Sequence, residues 1–164
     1  MILSQDFREL LQLLNENGVE YLVVGGYAVI LYGHVRATGD IDLWVKATSE
    51  NGRAIIAALH DFGFASLSLV ETDFIEEDAI VQLGRPPYRV DFLTSIDGVT
   101  FDYCYEHRHI VQHAGISIPF IDLEDLKINK KASGRLRAWL TSKLWNQFQK
   151  KENSYPWQRS TTTT

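Results

Sequence analysis

Residues 22–45 leave the chain few ways to fold. They read Leu22-Val23-Val24, then Gly25-Gly26, then Tyr27 to Tyr32, then a loop from Gly33 to Gly39, then Asp40-Ile41-Asp42-Leu43-Trp44-Val45. The pattern predicts a short apolar strand, a glycine turn, a short helix, a loop and a second strand. A nearly continuous apolar strand belongs at the centre of a covered sheet. On the second strand, side chains two apart leave the same face. Asp40 and Asp42 therefore point together, and Ile41 and Leu43 point the other way. Two neighbouring carboxylates repel, and their apolar flanks predict a strand that is largely buried, where unpaired charge is costly. A solvated edge pair or a turn cap would tolerate them; a bound cation would give a reason for them.

At 164 residues the chain suits one domain with a real core. Residues 1–149 are expected to form it, and the polar segment 150–164, ending in four threonines, is expected to fray. The net charge of −5 offers no global basic field to recruit nucleic acid, although a local basic patch stays open. With Cys104 the only cysteine, an intrachain disulfide and a four-cysteine zinc site are both excluded. No run of 18 apolar residues occurs, and Met1-Ile2-Leu3-Ser4-Gln5-Asp6 lacks the basic start and apolar run of a signal peptide. The expectation is a soluble cytoplasmic protein with no membrane partner.

The remaining elements follow from periodicity. Phe7, Leu10, Leu11 and Leu14 mark an amphipathic helix between a Ser4 cap and an Asn17-Gly18 stop. Val19 to Val24 is the first strand. Thr48 or Ser49 caps a helix carrying Ile55, Ile56, Leu59 and Phe62, ended by Gly63. Ser66-Leu67-Ser68-Leu69 alternates like a strand, and the acidic stretch Glu71 to Asp78 reads as a short helix or loop. Ala79 to Leu83 and Tyr88 to Leu93 form a hairpin across Gly84-Arg85-Pro86-Pro87, because neither proline can donate to a ladder. Residues 94–108 are irregular with a helical piece. Ile110 to His113 and Ile116 to Phe120 form a second hairpin at Ala114-Gly115. Asp122 caps a helix with Leu123, Leu126 and Lys130, and a last helix carries Leu136, Leu140, Leu144 and Phe148. The fold class is α/β (α+β): a small mixed sheet flanked by helices.

Three features carry chemistry. Gly25-Gly26 lets backbone approach a ligand closely, and a helix starting there would favour an anion; a tight strand-to-helix turn explains the pair equally. Asp40 and Asp42 offer hard oxygen ligands, as Mg²⁺ prefers. Asp91 sits mid-strand between Val90 and Phe92. It is either a third carboxylate completing a two-metal site or the partner of Arg89 or Arg85 in a salt bridge. The five histidines have no zinc-type spacing with Cys104, and neither a Gly-x-Ser-x-Gly nucleophile motif nor a Walker A lysine motif occurs.

Taken together, strand, Gly25-Gly26, a gap of 13 residues, Asp40-Ile41-Asp42, and a lone Asp91 on a later strand resemble the nucleotidyltransferase superfamily typified by DNA polymerase beta. Within it, Gly25-Gly26 with Arg36-Ala37-Thr38-Gly39-Asp40-Ile41-Asp42 looks most like the small bacterial AbiEii-related and minimal nucleotidyltransferases, over about Phe7 to Arg135. The resemblance implies Mg²⁺-dependent (or Mn²⁺-dependent) transfer of an NMP group from an NTP to an acceptor hydroxyl, with release of pyrophosphate. It implies Asp40, Asp42 and Asp91 as catalytic metal ligands in a two-metal site. Gly25, Gly26, Arg36, Thr38 and Lys130 become nucleotide-binding residues, with Arg135 a further basic group for the triphosphate. The acceptor could be a small molecule, a protein hydroxyl or an RNA end, and a homodimer or cognate protein partner is compatible. A second expectation is a nucleotide-binding partner module of toxin–antitoxin type with little or no turnover. The chain departs from the AbiEii-like group after Gly134-Arg135, since no acidic residue occurs from Leu136 to Lys151.

Overall fold

The computed structural model describes residues 3–33, 37–85 and 87–134. Eleven elements set the architecture: α1 (Gln5–Glu16), β1 (Tyr21–Val24), α2 (Gly25–Leu31), β2 (Asp40–Val45), α3 (Ser49–Leu59), β3 (Ile80–Arg85), β4 (Tyr88–Leu93), α4 (Phe101–Glu106), β5 (His109–His113), β6 (Ile116–Phe120) and α5 (Leu123–Ala132). The strands form one six-stranded mixed sheet in the order β3-β4-β2-β1-β6-β5. β2 and β4 run parallel, as do β1 and β6, while both hairpins and the β1–β2 pair are antiparallel.

The caps form at the expected residues. Ser4 accepts from the Phe7 N–H, Thr48 from that of Asn51, and Asp122 from that of Glu124, each satisfying a donor that the first helical turn leaves unpaired. The apolar stripe of α1 is buried at Phe7, Leu10, Leu11 and Leu14. Leu11 is fully enclosed, so Leu11→Ala is expected to lower unfolding stability by about 3 kcal/mol, measured by chemical denaturation.

Strand register sorts the side chains onto two faces. Ile41, Leu43 and Val45 share one face with Val90 and Phe92, and all are buried. Phe7 and Leu10 of α1 line one apolar pit with Leu83 and Val90, which places α1 on this face. Phe74, in a 3₁₀ turn at Glu71–Phe74, meets Phe92 edge-on here. Asn51 of α3 ties the layers together. Its Oδ1 accepts from the Glu20 N–H, and its Nδ2 donates to the carbonyls of Glu20 and Lys46, clamping the start of β1 to the end of β2.

The other face is covered only in part. Trp44 packs edge-on against Phe101 of α4, with centroids 5.2 Å apart. Asp40 and Asp42, on the same face as Trp44 and nearer the start of β2, are only half-buried. The start of β2 that carries them is thus left accessible, while Trp44 further along the strand is packed.

Some expected elements differ. Residues 66–69 form no strand; α3 runs instead into a π-turn at His60–Phe64, where Gly63 adopts φ +103°, and the chain then bends away with Leu67 exposed. β3 continues through Gly84 to Arg85, two residues past the expected end at Leu83. The β1 ladder begins at Tyr21 rather than Val19. The expected helix over Leu136 to Phe148 and the segment 150–164 lie outside the described residues. Among the described residues, no helix is long and apolar enough to cross a membrane.

Candidate functional site

The parallel pairing of β2 with β4 sets Asp40 opposite Arg89 and Asp42 opposite Asp91. Because both strands advance in step, all four side chains leave the same face. Asp40, Asp42 and Asp91, the three carboxylates considered together in the sequence, therefore share one face, with the Arg89 guanidinium in the fourth position. β3 adds Gln82, opposite Asp91, whose Nε2 donates to Asp91 Oδ2 at 3.2 Å.

Arg89 bridges two of the three acids. Its Nε donates to Asp91 Oδ1 at 2.7 Å and its Nη2 to Asp91 Oδ2 at 3.0 Å, a bidentate pair. The same Nη2 lies 3.1 Å from Asp40 Oδ2. The salt bridge weighed as one reading of Asp91 is present, and so is the carboxylate neighbour required by the other. Among the described residues, no three His, Cys, Asp or Glu side chains converge as a ready-made metal shell; Arg89 lies among the acids instead.

Asp42 stands apart from that clamp. Burial pushes its carboxyl above the usual range, and the neighbouring Asp91 charge pushes the same way, with Asp40 adding less; the Gly26 N–H, which donates to it, and Lys130 pull it back. Desolvation is the leading cause.

The Gly25-Gly26 turn is shaped around this carboxylate. α2 begins at Gly25, which adopts φ +62°, a conformation that glycine reaches without steric cost. A Cβ built on Gly25 would lie 2.0 Å from Asp42 Oδ2, and one on Gly26 2.8 Å from Thr38 Oγ1. Thr38 donates to the Asp40 carbonyl at 3.1 Å, fixing the entry to β2. Gly39 presses on the β3–β4 turn, where an added Cβ would fall 1.9 Å from the Pro87 carbonyl oxygen. This glycine had no assigned role in the sequence, because the contact joins positions far apart in the chain.

Beside the acids lies a cleft of about 330 Å³, lined by Gly25, Asp42, Ser95, Asp97, Asn129 and Lys130 among others. Asp42 is the aspartate of the three that lines it. Lys130 reaches this cleft from the last turn of α5, as a basic group facing Asp42. Asn129 anchors that helix by donating to the Asp97 carbonyl. A second cleft of about 540 Å³ lies between α1 and the β5–β6 hairpin. It carries Arg108 stacked over Tyr105 but no paired carboxylates. Arg36 and Arg135 lie outside the described residues.

The chain is similar to known proteins in two ways. Residues 2–144 match a family model described as "Nucleotidyltransferase of unknown function (DUF6036)". The fold is similar to the crystal structure of "a putative nucleotidyltransferase" from Thermotoga maritima, with a TM-score of 0.59 and 19% identity over 86% of this chain and 90% of that one. None of the curated proteins matches the chain.

Proposed function

Because the chain belongs to the nucleotidyltransferase family DUF6036, we propose that it transfers an NMP group from an NTP to an acceptor hydroxyl, releasing pyrophosphate. Mg²⁺ (or Mn²⁺) is the proposed cofactor, with Asp40, Asp42 and Asp91 as its ligands. The observation that carries this reading is the lateral pairing of Asp42 with Asp91, with Asp40 on the same face, beside the glycine turn.

The donor set suits such an ion. It consists of carboxylate oxygens, the hard ligands that Mg²⁺ selects. The backbone at Gly25 stays bare where a Cβ would collide with Asp42, which keeps Asp42 aimed at the open side of the sheet. When bound, the metal would polarise the α-phosphoryl oxygens and make the acceptor hydroxyl a better nucleophile.

The chain's own residues supply position and charge. In this reading Gly25 and Gly26 admit the triphosphate close to the backbone, and Lys130, with Arg36 from the loop, offsets its charge. Thr38 keeps the loop docked onto β2 through the Asp40 carbonyl. Asp91 orients the acceptor hydroxyl and takes up its proton as the new P–O bond forms and pyrophosphate leaves. A pre-aligned set of charges of this kind stabilises the transition state without reorganising.

Incubation with α-labelled NTPs, Mg²⁺ and acceptors of three kinds (a small hydroxyl compound, a protein, an RNA 3′ end) tests the proposal. Label is expected to move with the wild type and not with an Asp40→Ala/Asp42→Ala variant. Equal transfer by both would overturn the catalytic reading. A second reading, a nucleotide-binding partner module of toxin–antitoxin type with little turnover, draws on the Arg89 clamp, which already neutralises two of the acids. Nucleotide binding without transfer, together with tight co-purification of a partner protein, would favour it.

A further inference from the structure

Arg89 and Asp91 are two apart on β4, so they rise from the same face. The parallel register then brings Arg89 alongside Asp40. One guanidinium thereby holds both oxygens of Asp91, at 2.7 and 3.0 Å, and one oxygen of Asp40, at 3.1 Å. Asp42 receives no hydrogen bond from it. The three acids are therefore unequal: two are already satisfied by a cation belonging to the chain, and one is not.

Arginine cannot leave such a site by losing its proton. It engages both oxygens of Asp91 and one of the two of Asp40, oxygens for which a divalent ion bound by these residues would compete. We propose that Arg89 is the resident counterion of the metal-free site and a direct competitor of the metal, which reaches Asp40 and Asp91 only as the guanidinium lifts away. The metal affinity of the nucleotide-free protein is thereby held down, while Asp42 stays open for first contact. The inference rests on the reading of the three aspartates as metal ligands.

Titration of the full chain with Mn²⁺, in the absence of nucleotide and with free Mn²⁺ followed by electron paramagnetic resonance, tests this. Arg89→Met is expected to bind Mn²⁺ about tenfold tighter or more than the wild type, since two charge-assisted hydrogen bonds to Asp91 and the ion pair with Asp40 no longer have to be broken. Arg89→Lys keeps the charge without the fork and is expected to fall between the two. If Arg89→Met proves unfolded in chelator-treated buffer, Arg89→Lys decides alone, tighter binding supporting the competition. Affinity in Arg89→Met equal to or weaker than wild type would overturn the proposal and leave the metal-ligand reading standing. A rise in Arg89→Met with Arg89→Lys at the wild-type value would also overturn it, as a long-range charge effect without a clamp. If Asp42→Asn binds Mn²⁺ as the wild type does, or no form binds it, the metal-ligand reading itself falls and the competition with it.

Discussion

Asp42→Asn is expected to lower nucleotidyl transfer by about 10³-fold or more, and at the same time to raise the melting temperature of the metal-free protein near neutral pH. The two effects have one origin. Asp42 is the carboxylate of the site that burial and the Asp91 charge penalise, and it lies outside the Arg89 hydrogen bonds. Its pKa is higher folded than unfolded, so the folded chain binds more protons through the window between the two values. Stability from this group is complete below the unfolded pKa and is lost as pH rises through the folded one. Near neutral pH the penalty of holding the charged form is fully present, and asparagine removes it while its oxygen can still accept from the Gly26 N–H. The gain in melting temperature should therefore shrink as the buffer is acidified toward the ordinary aspartate pKa. Thermal melts of both proteins in chelator, across that range, check the sign. Added Mg²⁺ should raise the wild-type value and leave Asp42→Asn unmoved. A variant that lost activity because it misfolded would melt lower in every buffer.

Much of this site is legible from local rules. The period of two along a strand puts Asp40 with Asp42, and the same rule applied to Arg89-Val90-Asp91 puts Arg89 with Asp91. Glycine pairs and proline turns delimit the strands, and Ser4, Thr48 and Asp122 announce their helices. The rest depends on pairing between distant segments. That Arg89 bridges to Asp40 follows from the parallel β2–β4 register, which no window of sequence contains. Gly39 against the Pro87 carbonyl is of the same kind. The alternation in Ser66-Leu67-Ser68-Leu69 misleads for the converse reason. Alternation makes a strand only where a ladder partner accepts it, and these residues pair with none of the six strands. Leu67 remains exposed while Leu69 rests half-buried against the core, so the two leucines do not form one buried strand face.

The glycine turn is where fold and chemistry are hardest to separate, and Gly25→Ala is expected to disturb both. Its φ of +62° is costly for any residue with a Cβ, by about 1–2 kcal/mol. The same strain applies at Gly18, φ +69°, where an added Cβ would meet nothing within 4 Å. At Gly25 the methyl would also fall 2.0 Å from Asp42 Oδ2, and the carboxylate would have to swing off the Gly26 N–H. Gly25→Ala should therefore cost about 2–4 kcal/mol in total, against about 1 kcal/mol for Gly18→Ala. Denaturant unfolding of Gly25→Ala, Asp42→Ala and the double variant separates the two contributions. In the double variant the clash is gone, so its stability loss should fall short of the sum of the singles, leaving mainly the strain of φ as the cost of the alanine. If the losses simply add, the turn is not shaped around Asp42, and Gly25 serves only to start α2. If they do not, the bare backbone at Gly25 is what lets a charged side chain sit at the mouth of the cleft.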